Sequence, residues 1–315
     1  MGLFDKIGQI ITRNSSDATP TLSICMMGPR SVGKTTVLTS IFHESQSQIC
    51  EGSSIYLKAL DSNTNMLNDY HTMLVDAVAK KNASNLPASN TISEFQFGLG
   101  LAGRSESVKL TIRDFPGEYL TSTIKSDRED IYNFMANATV ILIAVDTPYL
   151  MEEGGRYNAE KNKVNIVTHY LKDNVAAVKD KLVLFVPLKC ERYLHDGKLP
   201  LVSEKVKETY KELTDFFGQN NIASFVTPII TLGGIEFDSM KNSNVPGDVS
   251  KVSVFRSWDV KPEYKPLFCP QPLYYLLTYV TNYYEWQKKQ KKGLIDSFMD
   301  SIYSCLLYTS DAADE

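Results

Sequence analysis

Residues 28–36 have the composition of a loop that holds phosphate. Their sequence, Gly28-Pro29-Arg30-Ser31-Val32-Gly33-Lys34-Thr35-Thr36, satisfies the pattern GxxxxGK[ST] in full. Glycines at both ends let the chain curl, so that backbone N–H groups converge on an anion. Lys34 would supply a point charge to the β- and γ-phosphates, and the Thr35 hydroxyl would ligate Mg²⁺. The sequence therefore predicts a site for a nucleoside triphosphate and magnesium.

A second segment with the residues for this chemistry is the turn Asp114-Phe115-Pro116-Gly117-Glu118, which follows the apolar run 108–113. A carboxylate at the end of a strand beside the phosphate loop would hold Mg²⁺ through its water shell. Gly117 would offer its N–H to the γ-phosphate and act as a hinge when that phosphate leaves. Thr91, just before another strand-like run, is the candidate for a threonine that closes over the metal. Taken alone, the Asp114 turn would be an ordinary loop.

The elements that must position these residues alternate along the chain. Apolar runs predict strands at 22–27, 92–101, 108–113, 139–145, 181–186 and 223–230, and helical spacing predicts helices at 35–43, 61–81, 127–137, 159–171, 203–217 and 273–287. The runs 92–101 and 108–113 predict a hairpin, and residues 238–266 predict a long loop or a small excursion from the domain. Alternating strands and helices favour parallel strands with helices on both faces. We predict an α/β fold, a P-loop three-layer α/β/α sandwich with a mostly parallel sheet.

Four segments are expected from the composition of the chain. Residues 21–287 form the nucleotide-binding domain, preceded by an amphipathic helix and linker at 1–20 and followed by a basic run and amphipathic helix at 288–304. The apolar stripes of these terminal helices would cover their own domain, or else dock a partner helix or lie weakly on a membrane. Residues 305–315 resemble a translated sequencing adapter, and we expect that they are not native protein and that the native C-terminus is missing.

Composition excludes several classes of function. The formal net charge of −4 and the pI near 5.7 give no general attraction to nucleic acid, so no such partner is predicted. Five cysteines without paired spacing favour reduced thiols in a cytoplasm. The chain contains no run of about 18 apolar residues, so no membrane span is predicted. The four histidines lack the spacing of zinc ligands, so no zinc site is predicted. We expect a cytoplasmic protein, at most peripheral to a membrane.

Two further strings complete a recognisable order of motifs. Leu188-Lys189-Cys190-Glu191 follows one buried run, and Thr231-Leu232-Gly233-Gly234 follows the last. With the phosphate loop and the Asp114 turn, this order resembles the translation-factor-related and Ras-like GTPases over roughly residues 22–279. The third motif of that group is usually Asn-Lys-x-Asp, whose lysine packs on guanine and whose acid accepts its N1–H and exocyclic amine. The resemblance implies that Lys189 and Glu191 bind guanine, and that the backbone N–H groups of Thr231, Leu232 and Gly233 meet the base oxygen.

The chain departs from that group at two positions. Leu188 stands where Asn is expected, and Glu191 is one methylene longer than Asp. The sequence therefore leaves the choice between GTP and ATP open. The strings around Asp114, Asp146, Lys189 and Thr231 are similar to those of the bacterial double-GTPase families assigned to conflict and defence systems. Asp146 itself, at the end of a buried run, either contacts the nucleotide edge or caps the following turn.

The catalytic candidates are Lys34, Arg30 and Glu118. Glu118 stands where Ras-like enzymes carry a Gln that orients the attacking water, and Arg30 is either a cis-acting charge for the transition state or a solvated loop side chain. One hypothesis is a switch that hydrolyses GTP, with Mg²⁺ and GTP/GDP as cofactors and an unknown protein effector. A second is a scaffold that binds nucleotide without hydrolysing it, because Glu118 does not replace Gln. A third is a P-loop ATPase without guanine selectivity.

Overall fold

The computed structural model describes residues 21–46, 55–61, 63–83, 86, 92–101, 106–242 and 251–288. The predictions made for Thr91, for most of the basic run, for the two terminal amphipathic helices and for residues 305–315 lie outside these ranges. None of the described helices combines the length and apolar character that a membrane crossing needs.

Nine strands form two sheets in the described part of the chain. They are β1 (Thr21–Met27), β2 (Ile55–Ala59), β3 (Ser93–Leu101), β4 (Glu106–Asp114), β5 (Val140–Asp146), β6 (Leu182–Leu188), β7 (Ala223–Val226), β8 (Glu236–Asn242) and β9 (Lys251–Arg256). The first seven form one sheet in the order β2-β3-β4-β1-β5-β6-β7, and β8 pairs with β9. Strands β4, β1, β5, β6 and β7 run parallel, whereas β2 and β3 are antiparallel to their neighbours. Parallel strands place their carboxyl ends, and the loops that follow them, along one edge.

Helices connect the strands and cover both faces. They are α1 (Lys34–Ser45), α2 (Asn63–Ala79), α3 (Lys125–Asn137), α4 (Thr147–Met151), α5 (Asn158–Lys161), α6 (Val164–Asp173), α7 (Val175–Val178), α8 (Glu191–His195), α9 (Leu199–Thr209), α10 (Lys211–Gln219) and α11 (Gln271–Lys288). Short 3₁₀ turns occupy Gly117–Thr121 and Glu152–Gly155.

Two hydrophobic cores lie on opposite faces of the large sheet. Alternate residues of β5 divide between them, since side chains in a strand point to opposite faces: Val140, Leu142 and Ala144 belong to one core, and Ile141, Ile143 and Val145 to the other. Helices α1 and α11 contribute to the first core, and α3, α6 and α10 to the second. The predicted three-layer α/β/α sandwich with a mostly parallel sheet is confirmed.

Several predicted elements have different bounds. The predicted helix at 159–171 is two helices, because Lys163 takes a left-handed backbone (φ 54°) and ends the first. The predicted helix at 203–217 is divided at Tyr210, whose buried ring packs with its centroid 5.0 Å from that of Phe185. Pro228 ends β7 early, although Thr227 and Ile229 still donate backbone hydrogen bonds to β6.

Three strands, β2, β8 and β9, were not predicted from the sequence. β2 is a five-residue edge strand, too short for its alternation to be distinguished from a loop. Of the two alternatives for 238–266, the long loop was wrong, because β8 and β9 form a separate two-stranded sheet there. Both strands are rich in charged and polar residues. Arg256 joins the two strands through contacts with Glu236 (3.1 Å) and Asp238 (3.3 Å), a tertiary contact that no local apolar pattern announces.

Helix α1, which leaves the phosphate loop, packs on α2 through a histidine pair. The rings of His43 and His71 stack with centroids 3.9 Å apart. Burial, and to a smaller extent the proximity of His71, lowers the pKa of His43 from 6.5 to about 4, against the raising effect of a hydrogen bond with the Leu67 backbone. The neutral form is thus the one that fits the folded protein.

We expect this histidine pair to make the folded protein less stable as the pH falls. The unfolded chain binds a proton at His43 near pH 6.5, but the folded protein resists doing so until about pH 4. The contribution is therefore present above pH 6.5 and is lost as the pH falls towards 4. In thermal unfolding, the Tm of His43→Gln should decrease less between pH 7 and pH 5 than the Tm of the wild type. Identical Tm profiles for the two proteins would contradict this assignment.

Candidate nucleotide-binding site

The phosphate loop joins the end of β1, near the middle of the sheet, to the start of α1. Gly28 and Gly33 both have positive φ values, 150° and 109°, as the predicted curl of the loop requires. Ser31 between them is also left-handed, with φ 60°. Val32 is buried in the core, which anchors the loop on its inner side.

Lys34, the first residue of α1, lies folded beneath the loop. Its ammonium donates to the carbonyl oxygens of Gly28 (3.2 Å) and Pro29 (3.3 Å), and it lies 3.8 Å from the Asp114 carboxylate. Burial lowers the pKa of Lys34, while Asp114 and then Glu118 oppose that shift. A buried cation held by neutral carbonyls and one carboxylate is placed to accept an anion in the loop.

Asp114 ends β4 and reaches the loop because Met26 of β1 is its neighbour in the parallel register. Its Oδ2 accepts a hydrogen bond from the Thr35 hydroxyl at 3.2 Å. Its Oδ1 is buried without a hydrogen-bond partner among the described residues. Burial raises the pKa of Asp114, against the lowering effects of Lys34 and of the Thr35 bond.

This donor set fits magnesium. A carboxylate and a hydroxyl are hard oxygen ligands of the kind that Mg²⁺ prefers. Asp114 Oδ1 also lacks a hydrogen-bond partner that it would have to give up. Thr36, the other threonine of the loop, has a different role: its side chain is buried and bonds Tyr70 of α2.

The turn after Asp114 lies directly on the phosphate loop. A Cβ built on Gly117 would be 2.5 Å from the Arg30 backbone nitrogen and 2.9 Å from the Gly28 carbonyl oxygen, so no side chain fits there. Beside this contact, Arg30 Nη1 lies 3.3 Å from Glu118 Oε1, and both side chains are more than half exposed. The structure thus brings the two catalytic candidates Arg30 and Glu118 together at the mouth of the loop.

Lys189, in the loop after β6, approaches the phosphate loop from the other side. Its ammonium donates to the Ser31 carbonyl oxygen at 3.2 Å and forms an ion pair with Asp146. Leu188, before it, has no polar side-chain group and is buried near Gly33, where its Cδ1 would be 3.7 Å from a built Cβ. Lys189 therefore makes the polar contact between this loop and the phosphate loop.

Glu191 points at the loop after β7. Its Oε1 accepts backbone N–H groups of Thr231 (3.0 Å) and Leu232 (2.9 Å), and Gly233 contributes a further backbone bond. Its Oε2 is buried without a hydrogen-bond partner among the described residues. Burial raises the pKa of this carboxyl group, and the backbone donors oppose the shift.

The glycine pair of that loop serves packing within the chain. A Cβ on Gly233 would be 2.1 Å from the Lys265 carbonyl oxygen, and one on Gly234 would be 2.2 Å from that of Glu263. The close approach expected at Gly233-Gly234 is therefore made by the chain segment 263–265. In this structure the N–H groups predicted to meet the base oxygen instead donate to Glu191.

Of the two alternatives predicted for Asp146, the one in which it caps the following turn was wrong. Asp146 occupies the N-cap position of α4, but its side chain makes no capping hydrogen bond. The carboxylate turns instead to Lys189, and its Oδ1 is buried without a hydrogen-bond partner among the described residues. The sequence offered a signal, an acid at the end of an apolar strand, but could not give its direction.

The contact of Gly117 with the loop gives a testable prediction. We expect Gly117→Ala to destabilise the protein by about 1–3 kcal/mol, because the added methyl meets rigid backbone. Gly218→Ala in α10 is the matched control: a Cβ there meets nothing within 4 Å, so it should be neutral or stabilise by about 0.5–1 kcal/mol. The measurement is the free energy of unfolding in urea. Equal effects of the two substitutions would show that the Asp114 turn does not dock on the loop.

The part of the chain that builds this site matches a known protein family. A sequence model of the Double-GTPase 2 family matches residues 23–227, well over half of the chain. That stretch includes the phosphate loop, the Asp114 turn and residues 188–191. Comparison with the curated proteins gives no match.

Similar solved structures include two of the S. cerevisiae Ski7 GTPase-like domain. The one bound to GTP is 16% identical, with a TM-score of 0.47 over 86% of this chain and 52% of that one. The one bound to GDP and inorganic phosphate is 15% identical, with a TM-score of 0.44 over 81% and 50%. The LeoA bacterial dynamin GTPase from ETEC is 16% identical, with a TM-score of 0.37 over 72% and 32%. The matched parts thus span about half of each Ski7 chain and less of LeoA. The family match over residues 23–227 shows that this chain belongs to the Double-GTPase 2 family.

Proposed function

We propose that the protein binds GTP with Mg²⁺ on the phosphate loop and hydrolyses it slowly, as a molecular switch. The observation that carries the proposal is the cluster of Lys34, Thr35 and Asp114 at the loop. It combines a buried cation, a hydroxyl and a carboxylate oxygen without a hydrogen-bond partner. Membership of the Double-GTPase 2 family supports guanine as the base.

The charged side chains of the loop and of the Asp114 turn would act on the triphosphate. Lys34 exchanges the carbonyl oxygens of Gly28 and Pro29 for β- and γ-phosphate oxygens, which are stronger acceptors for an ammonium. Arg30, exposed at the mouth of the loop, supplies positive charge as the γ-phosphate leaves. Glu118, released from Arg30, orients a water molecule for in-line attack. Thr35 and Asp114 would hold Mg²⁺, which would neutralise charge on the phosphates.

The base is read by Lys189 and Glu191. The Lys189 stem packs on the face of guanine while its ammonium stays on Ser31. Glu191 Oε2, which has no partner of its own among the described residues, accepts the N–H donors of guanine. Adenine presents an acceptor at the corresponding ring nitrogen, so a carboxylate there disfavours ATP.

One observation favours the second candidate, a scaffold that binds nucleotide without turnover. Glu118 is already paired with Arg30, and a carboxylate beside the γ-phosphate adds like charge to the site. If the pair persists with nucleotide bound, neither group reaches the reacting atoms. The protein effector, the conflict-system role, the cytoplasmic location and a peripheral membrane contact all stay predictions.

Titration of the full chain with fluorescent GTP and ATP in magnesium tests the proposal. We expect GTP to bind more tightly than ATP, and Lys34→Ala to weaken both by about 10- to 100-fold, the value of a charged hydrogen bond. Lys198→Ala, which removes an exposed lysine, is the control. Binding that Lys34→Ala leaves unchanged would place the nucleotide elsewhere.

Glu191→Gln tests the proposed contact with the base while it keeps the hydrogen bonds to the loop after β7. The amide oxygen of Gln can still accept the Thr231 and Leu232 N–H groups, while its NH₂ replaces the Oε2 acceptor. We expect the preference for GTP over ATP to fall, with Glu204→Gln, exposed on α9, as the matched control. A preference for GTP that Glu191→Gln leaves unchanged would refute the assignment of Glu191 to the base, whereas equal binding of GTP and ATP by both proteins would favour a P-loop ATPase. Single-turnover measurement of released phosphate then separates the switch from the scaffold.

A further inference from the structure

Lys189 bridges two parts of the site that lie on different strands. Its ammonium contacts Ser31 of the phosphate loop and Asp146 at the end of β5. Asp146 and Leu188 are neighbours in the register of β5 and β6, so the acid lies level with the residue before the lysine. One side chain therefore ties β5, the loop after β6 and the phosphate loop together.

Backbone strain marks both ends of the Lys189–Ser31 contact. Lys189 has φ 61° and Ser31 has φ 60°, a left-handed conformation that costs a non-glycine residue about 1–2 kcal/mol. Such conformations persist where the surroundings hold them, and they cluster at ligand sites. At Lys189 the contacts that hold it are the Ser31 carbonyl oxygen and the Asp146 carboxylate.

Asp146 is itself held from behind. Its backbone N–H donates to Asn162 Oδ1 at 2.7 Å, and its carbonyl oxygen accepts from Asn162 Nδ2 at 3.1 Å. Asn162 also donates to Asn158 Oδ1 at 2.8 Å, and both asparagines are buried. The Asp146 side chain makes no capping hydrogen bond to α4, so its carboxylate is available to Lys189.

We propose that Asp146 is a positioning residue for nucleotide recognition: it holds Lys189 on the phosphate loop and so couples the base site to the phosphate site. This inference rests on the proposed function. The Asp146 carboxylate neutralises Lys189, which is only 17% exposed, and directs its ammonium to Ser31. Without the acid, the ammonium turns to solvent, and the lysine stem leaves the plane on which the base packs.

A double-mutant cycle in the full chain tests the coupling. The variants are Asp146→Asn, Lys189→Met and the double variant, titrated with fluorescent GTP and ATP in magnesium. If Asp146 acts through Lys189, each single substitution lowers GTP affinity about tenfold and lowers the GTP-to-ATP ratio, and the double variant binds no worse than Lys189→Met alone. Asp196→Asn, which breaks the exposed pair with Lys198, should change neither quantity.

The outcomes separate the role proposed for Asp146 from the proposed binding of nucleotide. Wild-type protein that binds neither nucleotide overturns both the proposed function and this inference. GTP-selective wild type with additive losses in the double variant overturns only the inference, because Asp146 then acts on affinity without Lys189. A loss in Asp146→Asn with an unchanged GTP-to-ATP ratio also overturns it. If Asp146→Asn does not fold, the double variant, which has no unpaired charge, is compared with Lys189→Met alone, and any further loss contradicts the proposal.

Discussion

Three carboxylates buried at one edge of the sheet are the constraint on which the site depends. Asp114, Asp146 and Glu191 are each at most 5% exposed, and each has one oxygen bound by a protein donor and one without a hydrogen-bond partner among the described residues. A buried charge is costly unless it is paired and hydrogen-bonded. The chain meets this cost locally, with Lys34 beside Asp114, Lys189 beside Asp146, and backbone N–H groups on Glu191. In the proposed function, the cation and the N–H donors of the ligand bind these second oxygens.

The topology of the sheet is what brings these groups together. β4, β1, β5 and β6 are parallel neighbours, so the residues after their carboxyl ends share one edge although they are far apart in sequence. The alternation of side chains fills both faces with apolar cores, which leaves the strand ends as the place for polar groups. The fold thereby fixes which side chains meet, and local contacts such as Asn162 on the Asp146 backbone fix their direction.

How much of this the sequence predicts depends on whether the signal is local. The phosphate loop, its flanking strand and helix, and the β3–β4 hairpin follow from motif and periodicity, and the structure confirms them. The β8–β9 hairpin depends on pairs made by Arg256 with Glu236 and Asp238, so its local pattern indicates a loop. Gly233-Gly234 resembles a turn open to a ligand, but the segment that covers it comes from residues 263–265. The direction of Asp146 likewise depends on a lysine 43 residues away.

Differences in burial divide the site into a stiff part and a loose part. The Asp146–Lys189 pair is mostly buried, and removing one partner of such a pair typically costs about 3–5 kcal/mol, because the other charge is left unpaired. The Arg30–Glu118 pair is more than half exposed on both sides, where an ion pair is worth about 0–1 kcal/mol. The residues proposed to recognise the base are thus held in place before a ligand arrives, whereas the two residues proposed to act at the γ-phosphate exchange partners at little cost. That asymmetry suits a site whose affinity is set by the nucleoside and whose state is set by the terminal phosphate.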